Sequence, residues 1–442
     1  MMQFNPEFAT FHRSPALTSL QFNGNFAAPG LNPAFRIRKQ LFAMRCFVKK
    51  KIMKKALFLH VFMLATLILF AQSSDRIEKD CKLGVSLNNN YAKAITLDTI
   101  MKRYTTNALP GAAIALYSET DGWWADAVGY ANREEKVPMQ NCHLQYIQSV
   151  SKTYMAVEIL QLKEQGKIKL DDPITNYLPA RYSKYIKGAT QITVRMLLNQ
   201  NSGVPEYNDN PKFVSQVVQH PLEYFTADDC LKAIENEEPQ FAPGAKHKYT
   251  NTNYLLLSLI GDAITGDHAA YIRDHIFKPL VLNNSYYALD HNYLNGLNLP
   301  ASYWDILNAG KPADITQFQK ETVASSKGDD GIVCTPVDAV KFLKGLMEGK
   351  LLDEESMKQM FDFVTDEKGN KRYGMGMIYF DLGGIPAYGH GGGGLGAGCV
   401  LAYIPSAKLY MFIATNLGVL VDNDTSKKAD DMKNEVLMAL LQ

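Results

Sequence analysis

The sequence predicts an α/β chain of the α+β kind. One antiparallel sheet flanked by helices is built from both chain ends, with a mainly helical domain inserted between them. Three observations predict it. Strand patterns occur at 112–117 and 123–130, around a Thr120-Asp121-Gly122 turn, and return only at 373–379, 398–404 and 409–415. Between these groups, about residues 166–324 are helical and loop-rich. The chain has 442 residues, 46% hydrophobic and 21% charged, ample for one large domain with its own core. Strands at both ends of a helical block imply one sheet closed from both termini, with a cleft where sheet and helical part meet.

The N-terminal stretch is set apart. Residues 1–52 hold one acid, Glu7, and no periodicity, and read as a mis-called extension or a disordered leader. Lysines 49–51, 54 and 55 then precede an apolar run at 56–70, and Ala71 offers a small residue for cleavage. At about 15 residues the run is short for a membrane span and suits the h-region of a signal peptide. Residues 53–71 are therefore expected to be a signal peptide starting at Met53, with 72–92 a polar linker and 93–442 the folded domain. That places the protein in the periplasm or outside the cell. An uncleaved membrane anchor at 56–70 is the alternative, and an organelle transit peptide a third reading. No cysteine follows the apolar run at once, which argues against a lipoprotein.

Without the first 71 residues, 36 basic residues face 44 acidic ones, a net charge near −8. Such a surface is a poor match for nucleic acid. The remaining cysteines, Cys81, Cys142, Cys230, Cys334 and Cys399, are odd in number, widely spaced and never C-x-x-C. They suggest neither a zinc site nor a dense disulfide scaffold, and leave one unassigned bridge open.

In chain order, Ala94–Asn107 reads as a helix stopped by Pro110-Gly111, followed by the 112–130 hairpin. Short helices are expected at 193–198, 227–235, 252–265 and 269–277, and a last one at about 426–441.

The stretch 148–154 sets Ser149 and Lys152 three positions apart at the mouth of an apolar helix, 155–162. Residues i and i+3 share one helix face, so the Lys152 amine lies over the Ser149 hydroxyl. In a dry cleft such a lysine loses its proton more readily and serves as the base that activates the serine. By itself the pair also fits an ordinary capped helix carrying a surface lysine. Further on, Tyr249-Thr250-Asn251 follows a Pro243-Gly244 turn, offering a phenol for proton transfer and an amide for a substrate carbonyl or the lysine. A helix cap with a packed tyrosine explains it equally well, and Tyr293-Leu294-Asn295 has the same spacing. Residues 388–396 combine His390 with a run of glycines whose N–H groups can bind an oxyanion. The chain has no G-x-x-x-x-G-K-[ST], no G-x-S-x-G and no H-E-x-x-H, so a phosphate loop, an α/β-hydrolase and a zinc peptidase lack support.

In this order, Ser149-x-x-Lys152, Tyr249-x-Asn251 and His390-x-Gly392 resemble the three active-site motifs of the serine β-lactamase and penicillin-binding protein superfamily. The likeness is closest to its class C, low-molecular-mass D,D-peptidase and esterase branch. Stretches 170–173, 177–179, 197–205 and 331–338 are similar to that family too. The resemblance runs from about residue 93 to the C-terminus. It implies a β-lactamase/transpeptidase-like fold. Ser149 would be the acylated nucleophile, Lys152 its base and Tyr249 the proton shuttle, while Asn251, His390 and Gly392 would line the substrate. The N–H groups of Ser149 and Gly393 would form the oxyanion hole. No metal or organic cofactor is implied. The substrate would be a small molecule or peptide: a peptidoglycan-like peptide, a β-lactam or an ester. One departure is that Gly391, Gly392 and Gly393 offer no hydroxyl for a substrate carboxylate. A non-catalytic or slow-turnover envelope receptor is the alternative function, and a structural envelope domain a more distant one.

Overall fold

The computed structural model describes residues 82–442. The stretches expected to be an extension and a signal peptide, and most of the expected linker, lie outside the described residues. The principal sheet uses strands β1 (Gly111–Ser118), β2 (Gly122–Asn132), β3 (Val137–Pro138), β9 (Val364–Thr365), β10 (Lys371–Tyr373), β11 (Ile378–Asp381), β12 (Pro386–Gly393), β13 (Gly398–Ile404) and β14 (Leu409–Thr415). Their order is β3-β2-β1-β14-β13-β12-β11-β10-β9, and every pairing is antiparallel. The last strand therefore lies beside the first, Ile114 opposite Ile413, which closes the sheet from both ends as the sequence implied.

Alternation along the central strands serves two cores. Ile114, Leu116, Met411, Ile413, Val400 and Ala402 point to one face, against helices α1 (Ala94–Asn107) and α5 (Asp424–Leu441). Ala115, Phe412, Ala414, Cys399 and Leu401 point to the other. There they meet α4 (Pro336–Met347) and, beyond it, α2 (Ser151–Glu164) and α3 (Asn251–Thr265). A period of two on a sheet covered on both sides requires apolar residues in both registers, which these strands supply. Tyr154 of α2 stacks on Phe342 of α4, ring centroids 3.4 Å apart. Burying a side chain of that size is worth about 1.5–3 kcal/mol.

A smaller sheet pairs β4 (Gln145–Tyr146) and β5 (Ser285–Tyr287) with β8 (Ile332–Cys334). It ties the approach to Ser149 to the segment after Gly331. Another ladder joins β6 (Tyr303–Trp304) and β7 (Ala313–Asp314).

Two elements differ from expectation. The strand expected over 373–379 is two strands, β10 and β11, turned at Gly374–Met377. Gly376 adopts φ +69, and a Cβ there would stand 2.8 Å from the Lys152 carbonyl, so the alternating sequence is used for a tight turn under α2. The 269–277 helix is His268–Ile272 followed by a π-helical turn, Arg273–Phe277. Sequence reading missed α4, although Thr335 caps it, Pro336 opens it and Asp338 sits in its first turn. Cys142 is disulfide-bonded, whereas Cys230, Cys334 and Cys399 are free and buried. Among the described residues, no helix is long and apolar enough to cross a membrane.

Candidate active site

Ser149 sits in a single 3-10 turn, Gln148–Val150, that runs straight into α2. Gln148 enters it at φ +50, a left-handed conformation that non-glycine residues adopt at a cost, often at functional positions. One helical turn later, Lys152 is fully buried. Its Nζ donates to Ser149 Oγ at 3.0 Å, Asn251 Oδ1 at 2.8 Å and the Asp329 carbonyl at 2.7 Å. Three donors meet three acceptors, which fixes the amine on the serine.

Asn251 reaches the lysine because α3 begins there, with Thr250 as its N-cap accepting from Thr252 N–H. Tyr249 lies in the extended segment just before, half-buried, and its ring stands 5.1 Å from Lys152 Nζ. Burial pushes its phenol strongly up, and the neighbouring Ser149 side chain works against that push. Tyr293, the competing Tyr-x-Asn tyrosine, is elsewhere and donates to the Gly331 carbonyl.

On β12, His390 is buried behind Tyr249, ring centroids 6.1 Å apart. Its Nδ1 is 2.6 Å from the Gly391 carbonyl and its Nε2 is 2.9 Å from the Tyr373 hydroxyl. These partners assign the proton to Nδ1 of a neutral ring. Burial, helped by Lys152, pushes its pKa down to about 3. His390, expected to line the substrate, is therefore a neutral ring with both nitrogens bonded within the protein. Gly392 lies against the serine turn: a Cβ there would stand 2.4 Å from the Ile147 carbonyl and 2.7 Å from Cys399 Sγ. Only glycine lets β12 pass so close, and Gly393 follows on the same strand.

Sequence reading missed three acids around the lysine. Burial pushes the Lys152 ammonium below the usual lysine range, while Asp329, Asp330 and Glu206 hold it up. Burial likewise raises Glu206 to about 7 and Asp330 to about 8. Glu206 accepts from the Asn251 N–H and, at 3.1 Å, from the Thr250 hydroxyl, so it also caps α3. Tyr207 donates to Asp329 Oδ2 at 3.1 Å. The one sequence signal was the glycine-bracketed Gly328-Asp329-Asp330-Gly331. Among the described residues no cluster of His, Cys, Asp and Glu fits a metal ion.

The chain is similar to known proteins in sequence and in fold. The Beta-lactamase family model matches residues 97–431. Penicillin-binding protein 4 of Amycolatopsis lactamdurans is 25% identical over 342 residues, 71% of this chain and 83% of that protein. The PbpX protein of Bacillus subtilis (strain 168) is 26% identical over 59% of this chain. Protein flp of Staphylococcus aureus (strain MW2) is 28% identical over 43% of it. The matches span only 61% of PbpX and 37% of flp. Among solved structures, D-amino acid amidase of Ochrobactrum anthropi SV3 superposes with a TM-score of 0.67 at 23% identity, covering 78% of this chain and 98% of that one. A penicillin-binding protein of Bacillus halodurans gives 0.63 at 24%, covering 76% and 98%. With its fold, its motif order and a family match over most of its length in agreement, the chain belongs to the beta-lactamase family.

Proposed function

We propose that the protein is a serine hydrolase that cleaves an amide bond through an acyl-enzyme. The observation that carries this reading is the buried Lys152 amine held 3.0 Å from Ser149 Oγ. An ammonium uses all three N–H groups on its acceptors. On losing one proton, the amine keeps Asn251 and the Asp329 carbonyl and turns its lone pair to the Ser149 hydroxyl. Ser149 Oγ then attacks the substrate carbonyl while Lys152 takes its proton. Tyr249 relays a proton to the leaving nitrogen as the C–N bond breaks, and water later hydrolyses the ester. The N–H groups of Ser149 and Gly393 receive the developing oxyanion. Asn251 Oδ1 is taken by Lys152, so its amide N–H₂ is the part left for the acyl side of the substrate. His390 and Gly392 shape the wall. Residues 53–71 would export the chain to the periplasm or beyond.

The same wall informs the substrate. Gly391, Gly392 and Gly393 supply no hydroxyl, His390 supplies no charge, and three acids surround Lys152. A carboxylate such as that of penicillin or a peptidoglycan D-alanyl terminus finds few partners here. A neutral or amine-bearing substrate is favoured, and the amidase whose fold is shared acts, by its name, on D-amino acid amides.

The test is turnover of D-phenylalanine amide, read as ammonia release, beside benzylpenicillin hydrolysis. The wild type should release ammonia faster than it opens penicillin, and Ser149→Ala should lose activity by on the order of a thousandfold with its fold intact. An equally active Ser149→Ala overturns the nucleophile. Faster penicillin hydrolysis overturns the substrate preference. A stable penicillin adduct without turnover supports the receptor reading.

A further inference from the structure

Glu158 lies six residues beyond Lys152 on α2 and is fully buried, as is His268 at the start of the helix after α3. His268 Nδ1 is 3.4 Å from Glu158 Oε2. Neither Glu158 oxygen nor His268 Nδ1 has a hydrogen-bond partner among the described residues, so the two side chains are in close approach without a formed hydrogen bond. Gly261 of α3 makes the room, since a Cβ there would stand 2.7 Å from Glu158 Oε1. The other ring nitrogen, Nε2, is 3.2 Å from the Tyr287 hydroxyl, which accepts the Gly328 N–H at 2.9 Å. With Gly328 donating to its oxygen, Tyr287 gives its own proton to Nε2. The ring's proton is thereby left on Nδ1, facing Glu158. One residue after Gly328, the Asp329 carbonyl takes an N–H of Lys152 at 2.7 Å.

A polar trio in the core costs stability that apolar side chains would not. Nothing in the reaction described above uses it, yet it ends on the backbone segment that holds the lysine. We propose that Glu158, His268 and Tyr287 form a buried positioning chain that fixes Gly328–Asp329 and so aims the Asp329 carbonyl at Lys152. This rests on the reading of Lys152 as the base.

The groups facing the trio are Asp262, Asp267, Lys327 and Tyr271. Burial raises Glu158 and lowers His268, which favours the uncharged form of each, and the chain reaches Gly328 through the hydrogen bonds of Tyr287.

The test follows covalent labelling of the full chain by a fluorophosphonate, read by intact mass across pH. Tyr287→Phe keeps the ring and deletes the hydroxyl. It should label about ten- to a hundredfold more slowly. Its acid limb should also move to lower pH, because a carbonyl aimed at an ammonium favours the charged form and is now displaced. Tyr271→Phe, outside the chain, should behave as wild type. Should Tyr287→Phe lose its cooperative melt, Glu158→Leu carries the same expectation and Glu158→Gln, which keeps a polar oxygen beside Nδ1, should restore the rate. A folded Tyr287→Phe with wild-type rate and wild-type limb overturns the positioning chain alone. No labelling of the wild type, or equal labelling of Ser149→Ala, overturns the parent reading and this chain with it.

Discussion

Glu206 shows how one half-buried side chain can serve stability and electrostatics at once. Its carboxyl caps α3 through Asn251 and Thr250 and helps to hold up the charge on Lys152. Burial raises it from 4.5 to about 7. The folded state therefore binds this proton more tightly than the unfolded chain does. The resulting stability is fully present below about pH 4.5 and is lost as pH rises through about 7, an effect of up to about 3 kcal/mol. Glu206→Gln should flatten the fall in melting temperature between those pH values; an unchanged slope in thermal melts would assign that fall to other groups. Ser149 and Lys152 were legible from sequence because their meeting is local, one turn of a helix. Glu206 was not, since its partners lie 44 and 45 residues away. The Asp329 contact with Lys152 was illegible for another reason: it is made by a backbone carbonyl, which no side-chain pattern announces.

At the scale of elements, the site is a meeting of four pieces: the serine turn with α2, the start of α3, the Gly328–Gly331 segment, and β12. One tight junction is β12 against the turn, where Gly392 leaves no room for a Cβ. Gly392→Ala should push the strand away from Ile147 and Gln148. A loss of about 1–3 kcal/mol is expected from overpacking, together with a slower acylation step, measured by thermal melting and by single-turnover kinetics. A variant as stable and as fast as wild type would mean that the two backbones are free to part. Elements with a repeating pattern were readable, down to the bounds of β13, β14 and α1. The β10–β11 turn was not, because Tyr-Gly-Met-Gly-Met alternates like a strand while Gly376 turns the chain under α2. The glycines of β12 pointed to a close approach but not to its partner, which is 245 positions away along the chain at Ile147.

For the molecule as a whole, closing the sheet with the last strand beside the first makes the site a long-range construction. Motifs separated by about a hundred residues or more converge only because β1 pairs β14 and α2 is buried between α3 and α4. Desolvation of Lys152 follows from that burial, so the chemistry depends on the completed core. The account stands on Ser149 being the atom that takes the acyl group. Rapid quench of the full chain with p-nitrophenyl acetate, followed by peptide mapping, tests this most directly. The acetyl group should be found on the peptide that carries Ser149 and be missing from Ser149→Ala. An acetyl group on another residue, with Ser149→Ala turning over the ester as fast as wild type, would contradict it.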